Sequence, residues 1–287
     1  MAPTVSEQLG GEAFAAALKS GIHKVIGDQE TLNAINVFPV PDGDTGTNLS
    51  LSLGAALGTL TVPSDAHLGR LLERIADNLL DGSRGNSGAI LAQFFQGLSD
   101  AAADLASFTT SSFARAVTLG SEYAHDALAK PKEGTILSVI AAYSSSLSER
   151  VRREDGDRFP AVLPDAIDAA RRALERTPDQ LDALRKAGVV DAGAKGFVDL
   201  IEGMTDYLTT GKTIEIDLRE ELAEHALTTE TAGSTDESGF RYCTECVVNG
   251  VDIDRRKLRE ALSALGDSLV LAGTKRKAKI HIHADDP

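Results

Sequence analysis

Asn36-Val37-Phe38-Pro39-Val40-Pro41-Asp42-Gly43-Asp44-Thr45-Gly46-Thr47-Asn48 is the stretch around which the rest of the chain is organised. Two carboxylates, Asp42 and Asp44, stand one glycine apart, behind two prolines and ahead of a second glycine. Proline fixes φ and has no amide donor, so a stiff, extended approach is predicted. Gly43 and Gly46 tolerate backbone angles that other residues avoid. In an extended segment residues i and i+2 share a side, which turns Asp42 and Asp44 toward one point. Two hard carboxylate oxygens on a rigid loop suit Mg2+, which fills its remaining positions with phosphates and water. A helix is expected from about Thr47 to Leu60. It would put Thr45, Thr47 and Asn48 at an N-terminus whose free amides attract anions. An Asp-Gly turn and an ordinary cap would account for Asp-Gly-Asp alone. The longer string favours a functional loop.

Composition narrows the field. In 287 residues, 42% are hydrophobic but only 5% are aromatic and none is Trp, so Ala, Leu, Val and Ile must fill the core. There are 29 Lys and Arg against 43 Asp and Glu, a net charge of −14. Such a surface repels nucleic acid and anionic membranes. It repels free nucleotide as well, so any ATP must be held locally, by a metal and by aimed amides. Two cysteines do not make a disulfide scaffold. No basic, apolar leader and no segment of membrane-spanning length is evident, so a cytoplasmic protein is expected.

Periodicity places the elements. Phe14, Leu18, Ile22 and Ile26 recur at i+4 steps and predict a helix over Gly11 to Ile26. Leu49, Leu51, Leu53 and Leu57 are assigned to the helix after the acidic loop. Leu68 to Leu80 reads as a helix that stops at Asp81-Gly82. The small-residue run Gly82 to Gly88 then reads as a phosphate-cradling loop that feeds a helix over Ala89 to Leu98. Further helices are expected over Phe113 to Leu128, Thr135 to Leu147, Val162 to Leu174 and Asp191 to Leu208, with Gly211 closing the last. Thr177-Pro178-Asp179-Gln180 reads as an N-cap with a capping box, opening a helix that ends at Gly188. Ser148 to Pro160 reads as a solvated loop. Roughly eight or nine helices with short connections predict an all-α antiparallel bundle or barrel over 1–211.

A polar linker is expected over 212–238, and a small α/β domain over 239–287. The latter reads β-α-β-β: a strand over Arg241 to Val248, a helix over Arg255 to Leu265, and strands over Ser268 to Ala272 and Lys279 to His283. So small a piece is not a free-standing fold, and the chain is expected to be part of a longer protein. Cys243-Thr244-Glu245-Cys246 has C-x-x-C spacing, but redox motifs of that form open a helix, whereas this run reads as strand. Alternation then turns Cys243 and Cys246 to opposite sides, and puts His281 and His283 on one face. Cys243, His281 and His283 would form a three-ligand Zn2+ site with one open position. A buried cysteine and two surface histidines is the ordinary alternative.

Four ordered motifs carry a family resemblance. Asn36 to Asn48 resembles the metal loop of the dihydroxyacetone-kinase nucleotide domain. It is more similar still to that domain in the kinase subunit of bacterial fatty acid kinases. Gly82-Ser83-Arg84-Gly85-Asn86-Ser87-Gly88, Pro131-Lys132-Glu133-Gly134-Thr135 and Asp191-Ala192-Gly193-Ala194-Lys195-Gly196 match in the same order. The resemblance implies an ATP-dependent kinase with ATP or ADP and Mg2+ as cofactors. Asp42 and Asp44 would hold the Mg2+. Related sugar-kinase loops carry a third aspartate upstream; here Asn36-Val37 stands there, and Asn36 would offer an amide oxygen. Thr45, Thr47 and Asn48 would meet phosphate oxygens. Ser83, Gly85, Asn86, Ser87 and Gly88 would line the α- and β-phosphates. Thr135 would reach the nucleotide, and Asp191 and Gly193 would lie by base and ribose. Arg84 would stabilise developing charge, or be a plain exposed arginine. The resemblance also favours zinc at Cys243, His281 and His283.

The implied reaction transfers phosphate to a fatty acid carboxylate presented by a separate fatty-acid-binding protein, giving acyl phosphate. A carboxylate is already ionised near neutral pH and needs no catalytic base. No acyl-binding groove is evident and the domain expected to dock a carrier is missing or incomplete, so nucleotide binding without appreciable acyl-phosphate formation is expected of this chain even with a lipid-binding partner added; restoring the C-terminal portion is expected to restore turnover. One alternative is the subunit of a dihydroxyacetone-type kinase; another is a nucleotide-binding regulatory module without turnover. A homodimer is one candidate assembly.

Overall fold

A computed structural model describes residues 7–61, 67–213 and 242–287. The helical body runs β1 (Gln8–Gly10), α1 (Gly11–Gly27), α2 (Gln29–Ala34), α3 (Thr45–Thr61), α4 (Leu68–Gly82), α5 (Gly85–Ala102), β2 (Ser107–Thr109), α6 (Thr110–Asp126), α7 (Ile136–Arg150), α8 (Phe159–Glu175), α9 (Thr177–Gln180), α10 (Asp182–Ala187) and α11 (Ala192–Thr210). A smaller unit follows: β3 (Tyr242–Asn249), α12 (Arg255–Leu262), β4 (Gly266–Gly273) and β5 (Lys277–Ala284). The expected linker over 212–238 lies outside the described residues from 214 onward.

The body is helical because its apolar residues fall on 3.6-residue stripes. Phe14, Leu18 and Ile22 of α1 are fully buried, and Ile26 nearly so. With few aromatic side chains, helices approach closely where glycines face each other. A Cβ on Gly203 of α11 would stand 2.7 Å from the Gly21 Cα of α1, and one on Gly97 of α5 would stand 2.6 Å from the Gly120 Cα of α6. Backbone occupies both positions, so neither crossing has room for a methyl group.

Several local expectations are corrected. Eleven helices precede the sheet among the described residues; three of them have six residues or fewer, below what periodicity resolves. The body is helical as expected, with one short antiparallel pair, β1 with β2, added to it. Leu51 is exposed while Leu49, Leu53 and Leu57 are buried, because a step of two crosses to the far side of a helix. The capping box at Thr177 does not form. Arg176 is the N-cap, and the Thr177 hydroxyl donates to the Leu174 carbonyl while accepting from the Asp191 amide. Ser148 to Pro160 is helical at both ends, and the Arg150 guanidinium ties the intervening loop to Asp155 and Asp165.

The smaller unit is an antiparallel sheet in the order β3-β5-β4. One face carries Leu269, Leu271, Ile280 and Ile282 against Leu258 and Leu262 of α12. The other docks on the helical body. Val270 and Ala272 pack on Leu80, Ala89 and Ala127, and the Leu271 amide donates to the Ala127 carbonyl at 2.9 Å. Arg255 adds hydrogen bonds from its guanidinium to Gln93 Oε1 and to the Gly273 carbonyl. The sheet thereby closes over the N-terminal end of α5.

Candidate functional site

A cleft of about 890 Å3 lies between the acidic loop, the start of α5, the α6–α7 connection, the start of α11 and the inner face of the sheet. Asp42, Asp44, Arg84, Thr135, Asp191, Gly193, Cys243, His281 and His283 all line it.

The loop reaches the cleft bent rather than straight, with a cis Phe38–Pro39 peptide. It enters α3 at Thr45, two residues earlier than expected. Asp42 and Asp44 do converge, closely enough for the charge of one to bear on the other. Asp44 is raised to about 6, first by the walls that strip water from it and then by the charge of Asp42; Asn48 and His281 oppose the shift. The Asn36 amide donates to Asp42 Oδ1 at 2.6 Å, while Asn36 Oδ1 is buried with no hydrogen-bond partner. Two mutually repelling carboxylates beside an unsatisfied amide oxygen are a hard-oxygen donor set, and this suits a divalent cation.

Thr47 is spoken for in part. Its hydroxyl accepts from the Asn33 amide at 3.0 Å and its own amide donates to Asn33 Oδ1 at 3.1 Å. The Gly82–Gly88 run is a two-residue joint, since α4 ends at Gly82 and α5 begins at Gly85. Gly85, Asn86 and Ser87 form the first turn and face the cleft. Ser83 and Gly88 do not. The Ser83 hydroxyl donates inward to the Leu80 carbonyl at 3.0 Å, and Gly88 packs on the Ser52 side chain. Gly85, at φ 58°, lies against the Asn48 side chain, so the two loops abut.

On the far wall, Thr135 is the N-cap of α7 and Asp191 that of α11. The Thr135 hydroxyl donates to the Lys132 carbonyl at 2.8 Å, and Asp191 Oδ1 accepts from the Ala194 amide at 2.8 Å. Burial raises Asp191 to about 6 against the hydrogen bonds it receives from Ala194 and Ile136. A Cβ on Gly193 would stand 2.6 Å from Ser87 Oγ, so this glycine keeps the cleft open beside α5.

Strand register builds the remaining wall. Cys243 pairs with His283, and Glu245 with His281, which puts all four on the cleft side; Cys246 pairs with Ile280 on the other. The candidate ligand atoms of Cys243, His281 and His283 lie within 4.8 Å of one another. Hydrogen bonds from His281 and His283 lower Cys243 to about 7, which favours the thiolate a soft metal needs. Burial disfavours charge on His281, yet Cys243 and Glu245 hold it up at about 9. The S,N,N donor set fits zinc.

Two residues of this wall escaped the sequence reading. Glu245 Oε1 accepts from the Gly85 amide at 3.0 Å and lies 3.1 Å from His281 Nδ1. Its Oε2 lies 3.8 Å from both Arg84 and Lys279. Burial would raise Glu245, but His281, the Gly85 amide and Lys279 hold it near 2. Lys279 is buried and donates to the Ser83 carbonyl. Each lies two residues from a residue already singled out, Glu245 from Cys243 and Lys279 from His281. Alternation was the signal that could have found them.

A family model described as the DAK2 domain matches residues 39–206, well over half of the chain. The chain belongs to the DAK2 domain family. A second model, that of the FakA-like (fatty acid kinase) middle domain, matches residues 239–287. The matched DAK2 span holds Asp42, Asp44, the start of α5, Thr135 and Asp191, while the second match holds Cys243, Glu245, His281 and His283. Protein YloV of Bacillus subtilis is 33% identical over 289 residues, covering 97% of this chain and 52% of that protein. An uncharacterised protein of Staphylococcus saprophyticus is 31% identical over 288 residues, covering 98% and 52%. The chain thus spans about half the length of the curated relatives it matches. The dihydroxyacetone kinase from C. freundii, solved with AMP-PNP and Mg2+, superposes with a TM-score of 0.52 at 20% identity over 67% of this chain and 33% of that one. The DAK2 domain here therefore has the dihydroxyacetone-kinase fold. Among the described residues no helix is long and apolar enough to cross a membrane.

Proposed function

We propose that this chain binds Mg-ATP in the cleft and forms the nucleotide-handling part of a fatty acid kinase. The acceptor would be a fatty acid carboxylate presented by a separate lipid-binding protein. The observation that carries the reading is the apposition of two features across one cleft: the Asn36–Asp42–Asp44 oxygen cluster and the first turn of α5. A nucleotide needs a cation and aimed amides together, above all on a chain of net charge −14. The match to a fatty acid kinase middle domain supports the choice of acceptor.

In this reading Asn36 holds Asp42 turned to the cation position, and Asp44 reaches it from the α3 N-terminus. The Asn86 and Ser87 groups meet phosphate oxygens, and Gly193 leaves room for the nucleoside. Arg84, more than half exposed and paired with Glu245 only at 3.8 Å, would leave that carboxylate to reach the transferred group. Magnesium, when bound, would neutralise charge on the phosphates. A carboxylate oxygen of the fatty acid bonds to the γ-phosphorus as the bond from that phosphorus to the bridging oxygen breaks. The electron pair leaves on ADP, no proton moves, and acyl phosphate results. Cys243, His281 and His283 would hold zinc, with three protein ligands leaving a fourth position.

Calorimetry with ATP, with and without Mg2+, tests the reading. Cation-dependent binding that Asp42→Ala or Asp44→Ala removes is expected. Unchanged affinity in both variants would sink it. ADP release by a chain extended to the length of its relatives, with fatty acid and a lipid-binding partner, set against release with dihydroxyacetone, tests the acceptor.

A further inference from the structure

Glu245 Oε1 serves two donors that belong to different functional groups. One is the Gly85 amide, the first N–H of α5, at 3.0 Å; the other is His281 Nδ1, at 3.1 Å. Neither contact is incidental. Glu245 shares the cleft face of β3 with Cys243, and its register partner is His281 itself. Gly85 sits at φ 58° against Asn48, and this directs its amide out of the helix toward the sheet. Arg84 and Lys279, each 3.8 Å from Oε2, add positive charge on the other side. A carboxylate held by a helix-start amide, an arginine and a lysine is in surroundings that suit a phosphate oxygen equally well.

We infer that Glu245 is a positioning residue that occupies a nucleotide phosphate position in the empty chain and passes nucleotide occupancy on to the Cys243–His281–His283 cluster. The inference rests on the nucleotide reading above. One amide cannot serve a carboxylate and a phosphate together at full strength, and two anions at one helix start repel each other. Bound phosphate therefore takes the Gly85 amide. Glu245 Oε1 is then left to His281 Nδ1 alone, and a metal that would be held by the other ring nitrogen, Nε2, gains an undivided carboxylate behind its ligand. Nucleotide and metal would strengthen each other, by reciprocity of coupled binding.

The sign of the effect separates this role from a scaffolding one. A residue that merely braced the joint would weaken nucleotide binding on removal. Removing a resident competitor, and its charge, strengthens it. Calorimetry with Mg-ADP should therefore find Glu245→Ala binding several-fold tighter than the native chain, with Glu245→Gln between them, the cluster being kept metal-free by a chelator that leaves Mg2+. Unchanged or weaker binding in Glu245→Ala overturns the proposal.

Cobalt(II) reports the other half, since its thiolate charge-transfer band follows the cluster directly. In the native chain, saturating Mg-AMP-PNP should tighten cobalt binding about tenfold, a typical coupling between two sites. In Glu245→Ala the ratio should collapse toward unity; Cys246→Ser, on the opposite face, should keep it. Coupling that survives in Glu245→Ala, or a native ratio of unity with both ligands bound, overturns the proposal and leaves the nucleotide reading intact. A native chain that binds no nucleotide at all overturns both.

Discussion

Asn36 gives its amide hydrogen to Asp42 at 2.6 Å while its own oxygen stays buried and unsatisfied. An asparagine in that state is only half used. In the proposed reading, the partner of that oxygen would be a cation that Asp42 and Asp44 also hold. Asn36→Ala should then weaken Mg2+-dependent ATP binding about tenfold, roughly 1.4 kcal/mol, the scale of a hydrogen bond or ion contact to a charged group. Calorimetry decides it. Equal affinities would mean that Asn36 only shapes the loop.

The chain carries acid groups that fold reluctantly when ionised. Asp191 and Asp199 are raised to about 6, chiefly by burial, and Asp44 likewise by burial and then by Asp42. A carboxyl raised in the folded state stabilises the fold fully below its unfolded value and loses that contribution as pH rises through its folded value. Metal-free chain should therefore lose thermal stability between about pH 4 and about pH 6, the interval between the unfolded and folded values of these groups. Mg2+ should restore more of it at the upper end, where Asp44 is ionised. A melting temperature that climbs over this window would contradict the burial of these groups.

Zinc content should distinguish two cysteines only three residues apart. Cys243→Ser should strip the metal, and Cys246→Ser should leave it, since β3 turns Cys246 to the face of Ile280. Elemental analysis of purified protein reads this directly. Equal loss in both would require a backbone other than a strand.

Gly46 is the tightest contact behind the acidic loop. A methyl group there would meet the Gln29 carbonyl and stand 2.8 Å from Asn33 Oδ1, both on α2, whose Asn33 also holds Thr47. Gly46→Ala should cost about 1–3 kcal/mol of stability, the usual range for overpacking. It should also reduce nucleotide binding by moving Asp44. Denaturant unfolding and calorimetry on one preparation measure both; an unaltered midpoint would show that α2 yields.

The sequence spoke clearly where a pattern is local. The i+4 stripe of α1, the glycine stops at Gly188 and Gly211, and the alternation that separates Cys243 from Cys246 are each fixed by near neighbours, and all appear as read. The inward turn of Ser83 was not legible, because it depends on where α4 ends, and helix ends are the least determined feature of a sequence. The docking of Val270 on Leu80, Ala89 and Ala127 was invisible for another reason: it joins segments far apart in the chain, and no local period records it. Alternation marks the face of Glu245, but its contact across the cleft fell into the same gap. Its partner Gly85 lies 160 residues away, and only the folded sheet brings the two together.

The eight residues of β5 behave as two interleaved tools. Lys277, Lys279, His281 and His283 form one and Ala278, Ile280, Ile282 and Ala284 the other, so odd and even positions answer to different packing demands. Losing one residue from the strand would exchange them wholesale: histidines would be pressed beneath α12, and isoleucines would face a polar cleft. Losing two would shorten the strand and keep its handedness of purpose. Along this edge of the molecule, the parity of a length change matters more than its size.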